Sequence, residues 1–264
     1  MRWKAIGNSI TGTSHEISGK ICEDASCFTV IPLSQGEEAL IAFSSDGAGS
    51  AKHAHLASQL VTSEALHIAT KWMEGNILPK EKELLLMAEM LYDKLLVLSQ
   101  EMNEPLNEFS CTLLGCILLP GHSCFLQIGD GAIVKNDGTG HYRYIWWPFN
   151  GEYQNTTAFL IDDPNFPHLH TLVLEETIDE VAIFTDGLQM LALNTESNTV
   201  HQPFFTNMLK WLQIASAPEH VEVLNNKLTA YLQSDAINSR TDDDKTLILA
   251  TRINQHHAGL QGTT

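Results

Sequence analysis

The clearest pattern along the chain is a set of short apolar runs that stop at an Asp-Gly pair. Residues 40–43, Leu-Ile-Ala-Phe, end at Ser44-Ser45-Asp46-Gly47; residues 125–128 end at Gly129-Asp130-Gly131; residues 181–184 end at Thr185-Asp186-Gly187. Apolar runs of this length, bounded by small polar residues, predict strands. Each leaves a carboxylate at a strand end, and three such ends meeting in space would make a binding site for metal ions.

Between these landmarks the period changes. After Gly49, apolar residues recur at helical spacing through Leu56, Leu60, Val61, Ile68 and Trp72, with Gly75-Asn76 as a stop, and Pro79 opens a second helix through Leu84, Ala88, Leu91, Leu95 and Leu98. These Leu stripes read as core rather than as a cofactor site. Strands are expected at 3–7, 25–32, 111–119, 123–128, 132–135, 141–147, 169–174, 181–184 and 246–252. Helices are expected to begin at 188–193 and to cover 203–214 and 218–232. The polar segment 8–20 reads as a loop, and 148–167 reads as an extended surface loop placed to act as a flap. The run 111–147 reads as an antiparallel meander. That reading weakens Asp130, because Gly-Asp-Gly between two strands is ordinary tight-turn chemistry. Asp46 and Asp186 escape the objection, since helical patterns follow both.

Composition narrows the functional classes. With 264 residues and 44% hydrophobic content, the chain can bury a large core, as one large domain or two small ones. No shift in composition divides it, so a domain is expected over 1–254 with a polar tail at 255–264, where His256-His257 face solvent. The formal charge of −17 disfavours nucleic acid or an anionic membrane surface as partner and suits a protein that gathers carboxylates around cations. The five cysteines are an odd number with no CxxC pair, as expected in a reducing cytoplasm. The first residues, Met1-Arg2-Trp3-Lys4, lead into polar sequence without an apolar signal core, and no run reaches the length of a membrane span.

Two further acidic clusters stand beside strands: Glu23-Asp24 before 25–32 and Asp242-Asp243-Asp244 before 246–252. On an extended segment adjacent side chains point to opposite faces, so at most one of Glu23 and Asp24 faces the core side directly. Carboxylate oxygens are hard ligands suited to Mg²⁺ or Mn²⁺, and a metal pair can activate water and offset charge on a transferring phosphoryl group.

The ordered set CEDA, FSSDGAGS, FLQIGDGA, FTDGL and DDDKTLILA, spread from about Gly12 to Arg252, resembles the metal-dependent serine/threonine protein phosphatases of the PP2C type, particularly their bacterial branch. Each motif alone is weak; five in order are specific. The resemblance implies an α+β fold, a four-layer α-β-β-α sandwich of two antiparallel sheets flanked by helix pairs, with metals at one end of the sheets. It implies hydrolysis of phosphoserine and phosphothreonine by a metal-bridging hydroxide, two Mn²⁺ or Mg²⁺ ions and a third, weaker one, a phosphorylated protein as substrate, and a cognate kinase. By position, Glu23 and Asp24 match the early acidic pair, Asp46 the metal bridge, and Gly47 a backbone-carbonyl ligand. Asp186 and Asp243 match the late ligands, and Asp130 matches the third-metal position. Asp244 and Thr246 fall in the Asn and hydroxyl slots of the last motif.

The chain departs from that pattern where many members carry an Arg that grips the substrate phosphate; the slot holds Gly19, with Lys20 beside it as a substitute contact. Ala48 replaces the His that follows Asp-Gly in eukaryotic members, leaving His15, His53 and His55 as other proton sources. Two rival readings remain. One is a non-catalytic module of the same fold that binds phosphorylated partners. The other is a DxDxT phosphotransferase with Asp242 as nucleophile, disfavoured because that motif should end a strand rather than precede one.

Overall fold

A computed structural model describes residues 2–148 and 157–253. In chain order the elements are β1 (Arg2–Ile10), α1 (Thr13–Ser18), β2 (Ala25–Pro32), β3 (Glu38–Ser45), α2 (Ala54–Glu74), α3 (Glu81–Met102), β4 (Leu113–Leu119) and β5 (His122–Ile128). They continue with β6 (Ala132–Asn136), β7 (Tyr142–Tyr144), β8 (His170–Leu174), β9 (Glu180–Phe184), α4 (Gln189–Ala192), β10 (Leu193–Asn194), β11 (Thr199–Val200), α5 (Gln202–Ile214), α6 (Pro218–Leu232), α7 (Asp235–Asn238) and β12 (Lys245–Ile253).

Two five-stranded antiparallel sheets form, one in the order β1-β12-β9-β6-β7 and the other β2-β3-β4-β5-β8. The alternation along each strand explains the layering. In β3, Leu40 and Ala42 face the opposite sheet with Leu114, Phe125, Ile133, Ile183 and Ile248, whereas Ile41 and Phe43 face α2 and α3 with Val61, Leu84 and Leu91. On the other sheet, Ile6, Phe184 and Leu249 face α5 and α6 through Phe205, Leu209 and Leu232. Both faces of both sheets are covered, so the strands read as continuous apolar runs rather than as alternating ones. The expected four-layer α-β-β-α arrangement is the one observed.

Three local expectations are corrected. Segment 8–20 is not a loop: β1 runs on to Ile10 because Ser9 and Ile10 pair with Thr246 and Lys245 of β12, and the polar turn that follows closes as α1, ended by Gly19 at φ 73°. The left-handed cap suits glycine. The meander is also broken, since β5 and β6 belong to different sheets. Gly129-Asp130-Gly131 is therefore a crossing between sheets, with Gly129 at φ 118°, and not a hairpin turn. Finally, 148–167 is not all surface: Ala158, Leu160, Ile161 and Phe166 are buried against α2 and α3. The expected flap falls partly, at 149–156, outside the described residues, as does the tail 255–264.

The helix after Asp186 is also shorter than expected. A 3₁₀ turn over Asp186–Leu188 and the single turn of α4 give way to the small β10–β11 hairpin. Among the described residues no helix is long and apolar enough to cross a membrane. The five cysteines are free thiols, three of them buried.

Candidate metal centre

Strands β3 and β9 and the β5–β6 crossing all deliver their final residues to one end of the sandwich. There Asp46, Asp130 and Asp186 each offer an oxygen within 4.8 Å of the others. The objection to Asp130 disappears with the hairpin, because the chain passes from one sheet to the other at this residue and leaves its carboxylate between them. These three line a cavity of about 180 Å³ together with Glu23, Asp243 and Asp244, and the backbone of Gly47 borders it.

Specific neighbours hold this end of the sandwich in place. Asp46 is fixed through its backbone: its N–H donates to Thr112 Oγ1 at 2.8 Å, and its carbonyl accepts from Thr112 N–H at 2.8 Å. Gly47 N–H donates to Glu23 O at 3.1 Å, which locks the early acidic pair to the β3 end. Asp130 accepts the Thr157 hydroxyl, and its carbonyl accepts the Gln189 amide. Gly187 is required for close approach: a Cβ there would sit 2.0 Å from the Asp244 carbonyl oxygen, so only glycine lets the β9 end abut the acidic loop.

The acidic pair splits as extended geometry demands. Glu23 lines the cavity, whereas Asp24 points behind it, its Oδ2 accepting the hydroxyls of Thr185 at 2.7 Å and Thr246 at 2.8 Å. Asp24 is therefore placed to join the ends of β9 and β12 rather than to face the cavity. The Thr246 hydroxyl is also hydrogen-bonded to Ser9 Oγ at 2.7 Å. Asp244 is a tie: its two oxygens accept Gly12 N–H at 2.6 Å and Glu23 N–H at 2.5 Å, and His15 Nδ1 lies 3.0 Å away. Asp243 opens on the cavity, and Asp242 does not line it.

Lys20 stands to one side. Its Nζ donates to Gly49 O at 2.9 Å and to Glu23 Oε1 at 3.2 Å, and it lines a neighbouring cleft, not the acidic cavity. Of the three histidines, His15 lines the cavity, its Nε2 3.6 Å from Glu23 Oε2, while His53 stacks on Phe109. His55 borders the cleft beside Lys20. Thr157, Thr112 and Gln189 carried no signal in the sequence, whereas Thr185 could have been suspected from its place directly before Asp186.

The electrostatics are those of a site built for positive charge. Burial and then the neighbouring Asp24, Asp186 and Asp130 push the Asp46 carboxyl well above the usual carboxylate range. Asp186 is pushed up to about 6, by burial and by Asp130 and Asp243. Asp24 is pushed up to about 8, chiefly by burial, with the Thr185 and Thr246 hydroxyls opposing. Burial also raises Asp130. Glu23 Oε2 and Asp24 Oδ1 are buried without a hydrogen-bond partner among the described residues. Crowded, desolvated carboxylates with orphaned oxygens fit a divalent cation coordinated by oxygen.

An oxygen-rich pocket at the end of a double antiparallel sandwich could hold a metal ion, and comparisons with known proteins identify the class. The model of the family Protein phosphatase 2C matches residues 11–233. Serine/threonine-protein phosphatase 3 of Escherichia coli is 35% identical over 251 residues, covering 95% of this chain and 98% of the relative. The chain belongs to the protein phosphatase 2C family, which is metal-dependent. Among solved structures, a bacterial serine phosphatase superposes with TM-score 0.62 at 16% identity, covering 95% of this chain and 98% of the other. The serine/threonine phosphatase of S. agalactiae gives 0.61 at 14% identity, covering 96% and 100%. At such identities these two establish the shared fold.

Proposed function

We propose that the chain hydrolyses phosphoserine and phosphothreonine monoesters on proteins, with Asp46, Gly47 (through its carbonyl), Asp186 and Asp243 as principal ligands of two Mn²⁺ or Mg²⁺ ions. In this reading Glu23 contributes from the opposite wall and Asp130 holds a third, weaker ion. The observation that carries the proposal is the meeting of Asp46, Asp130 and Asp186, all half-buried, within 4.8 Å and from both sheets. Bound there, the cations would supply Lewis-acid stabilisation of the phosphoryl oxygens and lower the pKa of an attacking water.

The chain's own residues supply orientation. Thr112 holds the Asp46 backbone at both its N–H and its carbonyl, which fixes the point from which the carboxylate projects. His15 ties Glu23 to Asp244, and Asp24 with Thr185 and Thr246 braces β9 against β12. Phe159 and Ala48 give the cavity its apolar wall. The overall reaction consumes water and releases the alcohol of the side chain and inorganic phosphate. Lys20, in the neighbouring cleft, would meet a phosphate oxygen from outside the acidic cluster.

A non-catalytic binding role finds no support in a cluster that keeps all of these carboxylates. The physiological substrate would be set by a cognate serine/threonine kinase, a partner that follows only from the chemistry. The deciding experiment is hydrolysis of p-nitrophenyl phosphate by the purified chain with Mn²⁺, Mg²⁺ or a chelator. Metal-dependent turnover is expected, and absence of turnover with either metal would refute the assignment.

A further inference from the structure

Next to the acidic cavity lies a second, open cleft of about 400 Å³ that shares Glu23 and Gly49 with it and is otherwise bordered by Lys20, Ile21, Lys52 and Glu108. Its character is different. The chain carries 15 basic residues against 32 acidic ones, and the cavity concentrates carboxylates, yet in the lining of this one cleft two lysines stand beside two glutamates, Glu23 and Glu108. Their side chains are 43% and 59% exposed, and their ion pairs, Lys20 with Glu23 and Lys52 with Glu104, are open to water. Solvent-exposed pairs of this kind are worth little and exchange partners readily. Ile21, in the same lining, is 57% exposed, so the rim adds apolar surface to the ammonium groups.

An anionic phosphopeptide approaching a pocket of carboxylates needs compensating charge along its path, and shared walls make this cleft continuous with the pocket. We propose that the cleft docks the residues flanking the phosphorylated side chain, and that Lys52 selects substrates with acidic side chains at those positions. Lys20 lines the cleft beside the shared Glu23, to which its Nζ donates, and Ile21 packs on the aliphatic portion of the same flanking segment. The inference rests on the phosphatase reading above, and its test separates the two.

The test uses two phosphothreonine peptides that differ only in flanking residues, glutamate in one and alanine in the other, assayed with Mn²⁺ beside p-nitrophenyl phosphate. The wild-type chain is expected to show a KM about three- to tenfold lower for the glutamate peptide, the size of one or two exposed ion pairs. Lys52→Gln should remove that preference and Lys52→Glu reverse it, while kcat and p-nitrophenyl phosphate turnover stay unchanged. Equal KM values in the wild type, or a preference that survives both substitutions, would overturn the proposal. If the wild type fails on p-nitrophenyl phosphate, the phosphatase reading falls instead. Fluorescence anisotropy of the labelled peptides then reads the cleft alone, with tighter binding of the glutamate peptide, lost in Lys52→Gln, as the supporting result and equal binding as the refuting one.

Discussion

Glu180 and Asp24 are almost equally buried, 5% and 4% exposed, at opposite ends of the sandwich, and they show two ways of keeping a carboxylate inside a protein. Glu180, at the start of β9, is surrounded by neutral donors. Its Oε2 accepts Asn136 Nδ2 at 2.8 Å and the Tyr142 hydroxyl at 2.9 Å, and its Oε1 accepts the Gln213 amide and, at 3.4 Å, the Thr251 hydroxyl. Asp24 has two hydroxyls on one oxygen, none on the other, and a group of further carboxylates beyond. The first arrangement satisfies a charge by hydrogen bonds and ties β6, β7, β9 and α5 together. The second leaves charge uncompensated, a cost that a cation would offset. Burial alone therefore does not mark a functional carboxylate; the chemistry of its neighbours does.

The contrast is tested most severely by Asp46→Asn. Turnover of p-nitrophenyl phosphate with Mn²⁺ should fall by at least about 100-fold, because a ligand is lost where even supporting residues cost 10- to 100-fold. The melting temperature in chelator should stay level or rise, because one buried, repelled carboxylate has gone. Retained turnover, or a large drop in metal-free stability, would place Asp46 with Glu180 in the structural class. The reverse result is expected of Glu180→Leu. Stranding the Tyr142, Asn136 and Gln213 donors should destabilise the fold by about 2 kcal/mol in urea unfolding, with metal dependence of turnover unchanged.

Acidity separates the two ends next. Asp24 and Asp186 have folded pKa values raised to about 8 and about 6, above an unfolded value near 3.8. The folded state thus binds more protons than the unfolded one between these limits, and stability must fall as pH rises. The metal-free chain is expected to lose melting temperature from about pH 4 to about pH 8, most steeply between about pH 4 and 6, where both carboxyls hold a proton that the unfolded chain has released, and less steeply from about 6 to 8, where only Asp24 does. Saturating Mn²⁺ should flatten that slope, as calorimetry across the range would show. A metal-free protein equally stable throughout would mean the cluster is not repelled. The smallest effect is expected from Lys20→Ala: about a threefold rise in KM for p-nitrophenyl phosphate, since an exposed ammonium contributes little.

Much of this was legible in the chain. Strand β2 and helix α6 fall where apolar spacing and Pro218 place them, and the two long helices differ from expectation only at their ends. The acidic motifs could be read in order because binding hard cations needs carboxylates, a residue type visible in the sequence itself. Which carboxylate faces where was less legible. The rule that Glu23 and Asp24 must diverge is local, whereas the direction each takes depends on Thr185 and Thr246, far away in sequence.

What the sequence determined by itself was the periodicity: which segments are extended, which are helical, and that three strands end in carboxylates. Tertiary structure decided which sheet each strand joins. Because both faces of these strands are buried, their apolar runs carry no mark of a partner, and β5 and β6 look like a hairpin until non-local pairing sends them to different sheets. That separation turns Asp130 from a turn residue into a neighbour of Asp46 and Asp186. Pairing of β1 with β12 likewise carries α1 and His15 to the cavity. A strand's own residues fix its shape and the alternation of its faces, but the free energy that selects its neighbours comes from contacts distant in sequence.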